Sequence, residues 1–419
     1  MVRINLSKDY NLQDEHDEYA LSNGLRIIFH PSTSNITTCG FVINAGTRDE
    51  GPDESGMAHF IEHLLFKGTE KRKSIHILNR LSNVGGDIDA FTCKEDTTVY
   101  ATVLNKDFER ALEVLSDIVF HSTFPEKEIA HETEVIVGEI QAYEDTPTEL
   151  IFDEFENIIY KGHPLGRNIL GNADAIRQFD TAKALDFTRR YYQPDNMVFF
   201  VTGNQSFKTI TRLVQKYTGD IQNTVIERRR DTPSSYEPKY IEEKRDTHQA
   251  HVVIGCQAYR SFHPKSAGLY LLSNVVGGTA SNNRLSMALR ERLGLVYTIE
   301  SYMTGYTDTG HFCIYFGCDP KDVDRCLSLT MKELKKLRDV RLTPRQLSIA
   351  KKQLISQIII GNENDESNAL DMGKTYLHHH IYDTLQEACE RILALTSDQL
   401  LDIANENFAE DNLTTLIYR

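Results

Sequence analysis

The chain has 419 residues, longer than most single domains, so two units of about 200 residues each are expected. Its 61 acidic and 46 basic side chains give a formal net charge of −15, which repels a phosphate backbone, so no nucleic-acid partner is expected. No apolar run reaches the length of a membrane span, so no membrane partner is expected.

The opening stretch, "MVRINLSKDYNLQDEHDEYAL", has no apolar signal segment and is too acidic for a transit peptide. The seven cysteines (Cys39, Cys93, Cys256, Cys313, Cys318, Cys326 and Cys389) form no CxxC pair and fit free thiols in a reducing compartment. A cytoplasmic location is expected. Two strands then follow one another directly, "YALSNGLRIIFHP" and "TTCGFVINAGT". The run "HFIEHLLFKGT", residues 59 to 69, reads as a short helix, with N-cap chemistry in Asp53, Glu54 and Ser55 and a C-terminal stop at Gly68. On that helix His59 and His63 stack on one face with Glu62 beside them, a pattern that points to a metal. Two imidazoles leave a catalytic zinc one protein ligand short.

The next segment, "GGDIDAFT" at residues 85 to 92, reads as an exposed edge strand loosened at its start by Gly85 and Gly86, to which an extended peptide can add. After the strand "TTVYATVL" and the helix "NKDFERALEVLSDI", Pro125 opens a long helix, "PEKEIAHETEVIVGEIQAYED", in which Glu132 and Glu139 are seven apart and share a face. Glu139 lies in the apolar stretch "VIVGEI", where an unpaired carboxylate is costly to bury and a cation opposite relieves that cost. This helix is the candidate source of the third ligand.

Residues 222–246 are charged, carry Pro233 and Pro238 and lack an apolar period, which predicts a linker between domains at 1–221 and 247–419. Beyond it "GHFCIYFG", "DPKDVDRCLSLTMKEL", "LTPRQL" and a helical run to Ile360 repeat the order of the first half, with Asp107 matching Asp322 and Pro125 matching Pro344. The predicted fold class is therefore α+β: two homologous domains, each a largely antiparallel sheet faced by helices, related by internal duplication. In the second copy Lys351 and Ile358 stand where Glu132 and Glu139 stand in the first, and nothing near "YLLSNVVGG" (270 to 278) matches HxxEH, so that copy lacks the metal. In "RERLGLVY" Arg290 lies near a helix end, Gly294 breaks the helix and Tyr297 enters a strand. The adjacent His378, His379 and His380 point about 100° apart on a helix and cannot converge on one ion.

The motif HxxEH, with Glu139 76 residues after His63, joins "HPLGRNILG" (163 to 171), "QPDNMVFFVTGN" (193 to 204) and "LRERLGLVY" (289 to 297). Together these resemble the pitrilysin and mitochondrial processing peptidase family of zinc metallopeptidases, the inverzincins, in a half-length bacterial-type form. The resemblance implies one Zn²⁺ per chain bound by His59, His63 and Glu139, with Glu62 as general base toward a zinc-bound water and then as proton donor. Glu132 is implied to orient a ligand from the second layer, and Gly86, Asp89, Ala90, Phe91 and Thr92 to bind substrate as a strand, although the family often has Asn at the position of Asp89. Arg290 and Tyr297 match the family's Arg and Tyr pair, which bind substrate and stabilise the oxyanion.

The implied function is a zinc-dependent endopeptidase acting on peptides or unfolded polypeptide segments. The alternative is a catalytically idle or partner-dependent subunit of a processing-peptidase-like complex, against which stands the retention of all three ligands and the base. In single-chain relatives two such units are fused, the metal in the first and the Arg and Tyr pair in the second. A half-length chain carrying both is expected to form a homodimer whose sites are completed across subunits.

Overall fold

The computed structural model describes residues 15–224, 229–234, 236–245 and 247–419; positions 225–228, 235 and 246 of the expected linker lie outside them. The first half supplies β1 (Asp17–Ala20), β2 (Arg26–Pro31), β3 (Ile36–Ile43), β4 (Asp87–Thr92), β5 (Thr97–Leu104) and β6 (Met197–Gly203). Its helices are α1 (Met57–Leu65), α2 (Ser74–Ser82), α3 (Phe108–His121), α4 (Glu126–Glu144), α5 (Pro147–Ile159), α6 (Ala173–Ile176), α7 (Thr181–Tyr191) and α8 (Phe207–Thr218). The second half supplies β7 (Tyr240–Glu243), β8 (Ala250–Ala258), β9 (Val296–Gly305), β10 (Gly310–Cys318) and β11 (Thr414–Tyr418). Its helices are α9 (Ser266–Gly277), α10 (Val323–Asp339), α11 (Pro344–Gly361), α12 (Asp365–His379), α13 (Leu385–Ala394) and α14 (Ser397–Asn407).

The first sheet runs β1-β2-β6-β3-β5-β4 and the second β7-β11-β8-β10-β9. Each contains one parallel pair, β2 with β6 and β7 with β11, and is otherwise antiparallel. With β1 set aside the two orders superpose strand for strand, β4 and β9 being the matching edges. The α+β duplication expected from the repeated landmarks is thus present in the topology.

Strands β3 and β6 read as near-continuous apolar runs because both of their faces are covered. One face of the first sheet packs on helices of its own half, such as α3. The other is covered by α12 from the second half, whose Ala369, Met372 and Leu377 meet Val42, Val198 and Phe200. In return α5, from the first half, lays Ile151, Phe155 and Ile159 on Val253 and Leu416 of the second sheet. The halves exchange one helix each, and their separation buries neither sheet fully.

One correction concerns the linker. The span 222–246 lacks an apolar period, yet Tyr240–Glu243 form β7, paired with β11 at the sheet edge. Four residues alternating between exposed and half-buried suffice for an edge strand, which needs only backbone partners on one side. All seven cysteines are free thiols. No helix among the described residues is long and apolar enough to cross a membrane.

Candidate metal centre and active site

Helix α1 buries Met57, Ala58, Phe60, Ile61, Leu64 and Leu65, which leaves one face to His59, Glu62 and His63. Its start differs from the capping expected of Asp53, Glu54 and Ser55. The N-cap is Gly56, in the left-handed region at φ 92°, where a Cβ would stand 2.7 Å from the Leu170 carbonyl oxygen. The free N–H groups of Gly56 and Ala58 donate instead to the buried Glu50 carboxylate, both at 3.0 Å. Burial pushes Glu50 up to about 8, with these two hydrogen bonds opposing it. The helix ends at Leu65, three residues before the expected stop at Gly68.

Helix α4 packs against α1 and contributes both glutamates. Glu139 Oε2 lies 3.8 Å from His59 Nε2 and 3.5 Å from His63 Nε2. The potential ligand atoms of His59, His63 and Glu139 all fall within 4.8 Å of one another, the single such group of three or more among the described residues. A tetrahedral zinc with bonds near 2.1 Å needs ligand atoms about 3.4 Å apart, so the donor set and its spacing fit that ion. Burial, and then the neighbouring His63, hold His59 down at about 3, so its imidazole is neutral and keeps a lone pair for a metal. The expectation that Glu139 is buried among apolar neighbours is corrected: its side chain is 43% exposed. Ile136, Val137 and Ile140 turn to the core, and the helical phase puts Glu139 on the histidine side.

Glu132 is the buried carboxylate of the pair. It lies two turns from Glu139, its Oε2 3.1 Å from His63 Nδ1 and its Oε1 2.7 Å from Lys67 Nζ. Burial opposes its charge, but the bonds to Lys67 and His63 outweigh that and hold it below the usual carboxylate range. Glu62 receives a 2.6 Å hydrogen bond from the Thr92 hydroxyl on its Oε2. Burial pushes this carboxyl up to about 7, again against the Thr92 bond.

Strand β4 is an edge of its sheet, paired on one side only, with β5. Asp87 and Asp89 face solvent, Ala90 is buried, and Phe91 packs edge-on to Tyr100. Gly86 does not loosen the strand: a Cβ there would lie 2.6 Å from Val103, so it allows close packing. Arg290 sits on a π-helical turn (Ser286–Glu291) and pairs with Glu291, while Tyr297 is 66% exposed at the start of β9. Both line a cavity of about 1000 Å³ with Tyr270, Asn274 and Gln357, which none of His59, Glu62, His63 and Glu139 lines. That cavity lies among α9, α11 and β9, the counterparts of α1, α4 and β4. Arg290 and Tyr297 thus line a cavity other than the histidine cluster.

The three late histidines go to separate partners: His378 to Asp96, His379 to the Phe262 ring and His380 to Arg26. Sequence reasoning missed Glu50 and Lys67. Lys67 follows the C-cap of α1, where helical phase no longer places it, and nothing local marks Glu50 as a cap.

Residues 26–173 match the family Insulinase (Peptidase family M16), and residues 178–354 match the Peptidase M16 inactive domain. Among curated relatives, the uncharacterized zinc protease YmxG of Bacillus subtilis is 32% identical over 400 residues, covering 95% of this chain and 97% of that one. An uncharacterized zinc protease of Rickettsia bellii is 28% identical over 398 residues, covering 95% and 96%. Among solved structures, a protease from Helicobacter pylori superposes with a TM-score of 0.89 at 23% identity over 97% of this chain and 100% of its own. A peptidase M16 inactive domain from Pseudomonas fluorescens reaches the same TM-score at 18% identity, over 96% of this chain and 97% of its own.

Proposed function

The chain belongs to peptidase family M16, and on that premise we propose that it is a zinc-dependent endopeptidase acting on peptides and unfolded polypeptide segments. The observation that carries the reading is the convergence of His59, His63 and Glu139 within 4.8 Å on the face that also carries Glu62. These three residues would hold one zinc per chain, which when bound supplies a Lewis acid and lowers the pKa of water toward about 7.

The chain's own groups do the rest. Glu132 accepts from His63 Nδ1 and so keeps His63 Nε2 free for the ion, a tautomer assigned from the hydrogen-bond network. Thr92 holds Glu62 Oε2, which leaves Oε1 to take a proton from the attacking water and return it to the leaving amine nitrogen. Substrate lies along β4 as an added strand, contacting Gly86, Asp89, Ala90, Phe91 and Thr92; the exposed, singly paired edge supports this. Arg290 and Tyr297 bind substrate and the developing oxyanion in the site of a second subunit. Their separation from the cluster in one chain supports such a homodimer. The seven free thiols support a reducing, cytoplasmic setting.

The test is zinc analysis with a panel of quenched peptides. Wild type carries zinc and cleaves in a chelator-sensitive way, whereas Glu62→Gln keeps the metal and loses turnover. Loss of zinc from that variant contradicts the assignment of Glu62 as a base rather than a ligand. Glu139→Gln weakens zinc binding, because a neutral amide replaces an anionic ligand.

A further inference from the structure

The hairpin turn between β4 and β5, residues 93–96, carries three consecutive charged side chains that are all buried: Lys94 and Glu95 are 5% exposed and Asp96 0%. Turns normally keep such groups in water, and a buried charge without a partner is costly. Each of the three has partners, and each reaches a different element. Lys94 Nζ lies 3.0 Å from Glu156 and 3.4 Å from Asp153, both on α5. Asp96 Oδ2 lies 3.0 Å from His378 Nε2 and 3.1 Å from Lys374 Nζ, both on α12. These are the two helices that the halves exchange.

Glu95 makes the third connection. It accepts from Arg48 Nη1 at 2.6 Å and from the Thr307 backbone N–H at 2.9 Å and hydroxyl at 2.6 Å. Thr307 lies in the turn between β9 and β10, and its neighbour Asp308 takes two further bonds from Arg48, at 2.8 and 2.6 Å. The two equivalent hairpins are therefore joined tip to tip. One residue before the turn, Thr92 donates its hydroxyl to Glu62.

We propose that Lys94, Glu95 and Asp96 are positioning residues that anchor the end of β4 to α5, the opposite hairpin and α12, so that Thr92 and the edge strand stand in fixed relation to Glu62. The inference rests on the peptidase reading above. The physical reason lies in the edge. A strand held on one side only, and offered to substrate on the other, has half its backbone groups free and little to resist a shift when substrate docks. Helices α1 and α2 pack on its face but cannot hold the open edge, so a further constraint comes from the turn, where the buried charges of Lys94, Glu95 and Asp96 tie it in three directions. A displacement of about 1 Å at the reacting groups costs on the order of a hundredfold in rate, which makes such an anchor worth its desolvation.

The test compares full-length, zinc-loaded Glu95→Gln with Asp117→Asn, which breaks the pair of another buried carboxylate, with Arg72, away from this turn. Glu95→Gln is expected to speed amide exchange in β4 by about tenfold relative to β3. In the same variant KM for an extended peptide rises about fivefold at wild-type zinc content. Asp117→Asn is expected to lower the melting temperature and leave both readouts unchanged. Thr307→Val, which removes a donor but no charge, moves them in the same direction by less, and it decides the matter if Glu95→Gln does not fold. A Glu95→Gln protein that melts earlier with β4 exchange and KM unaltered overturns the proposal, as does an Asp117→Asn protein showing the same changes. A zinc-loaded wild type that cleaves no peptide overturns the peptidase reading instead, and β4 exchange alone then decides the anchor.

Discussion

Replacing Glu132 by Gln removes one charge and almost no volume, at a residue that touches a proposed ligand without being one. In the wild type its two oxygens have separate duties, Oε2 toward His63 Nδ1 at 3.1 Å and Oε1 toward Lys67 Nζ at 2.7 Å. An amide has one acceptor oxygen, so either His63 or Lys67 must face an NH₂ group that cannot accept. If Lys67 keeps the oxygen, the His63 ring loses the bond that selects its tautomer and aims Nε2 at Glu139. If His63 keeps it, the bond survives without the negative charge beside the ring. Either way zinc affinity is expected to fall about 10- to 100-fold, or roughly 1.4 to 2.7 kcal/mol. The folded protein also loses stability with a definite pH sign. Because Glu132 titrates below its ordinary value in the folded state, its contribution is present above the unfolded pKa of 4.5 and lost as pH falls through the lower folded value. The deficit of the variant should therefore be full at pH 7 and shrink in acid below 4.5. Chelator competition for zinc and urea unfolding at the two pH values measure both quantities. Wild-type zinc affinity in a folded Glu132→Gln protein would refute the orienting role.

Gly56→Ala places a Cβ 2.7 Å from the Leu170 oxygen and 2.8 Å from Ile176 Cδ1 at φ 92°, so a loss of about 2 to 5 kcal/mol is expected by thermal melting, with zinc binding weakened as α1 shifts. Glu50 titrates above its ordinary value, so wild type is expected to lose stability as pH rises from 4.5 through about 8, and Glu50→Gln should flatten that slope in urea titrations; equal slopes contradict it. An unfolded protein should be cleaved and its native form spared, since strand addition at β4 needs an extended backbone, and equal rates on the two would count against it. Mixing Glu62→Gln with Tyr297→Phe under subunit exchange should restore roughly a quarter of wild-type activity if sites are completed across a dimer, and nothing if each chain completes its own.

The parts of this protein that were legible in its sequence are those set by local spacing. A four-residue step puts His59 and His63 on one helical face, a seven-residue step does the same for Glu132 and Glu139, and both steps survive in the structure because helical phase depends on the backbone alone. The duplication was legible for a similar reason: each half repeats the same order of short signals, and the sheets follow that order strand for strand. What tertiary structure decided is which side of a shared face goes inward. The flanking residues suggested that Glu139 is buried, but α1 lies so that Glu132 is enclosed with Lys67 and Glu139 is left open toward the histidines. The cap of α1 likewise comes from Glu50 through a fold-back of the chain that no local pattern encodes. The turn "CKED" is buried because α5, α12 and the opposite hairpin close around it, none of which is near it in sequence. Burial is a property of what arrives from elsewhere in the chain, so phase can be read from neighbours in sequence and the pairing of buried charges only from neighbours in space.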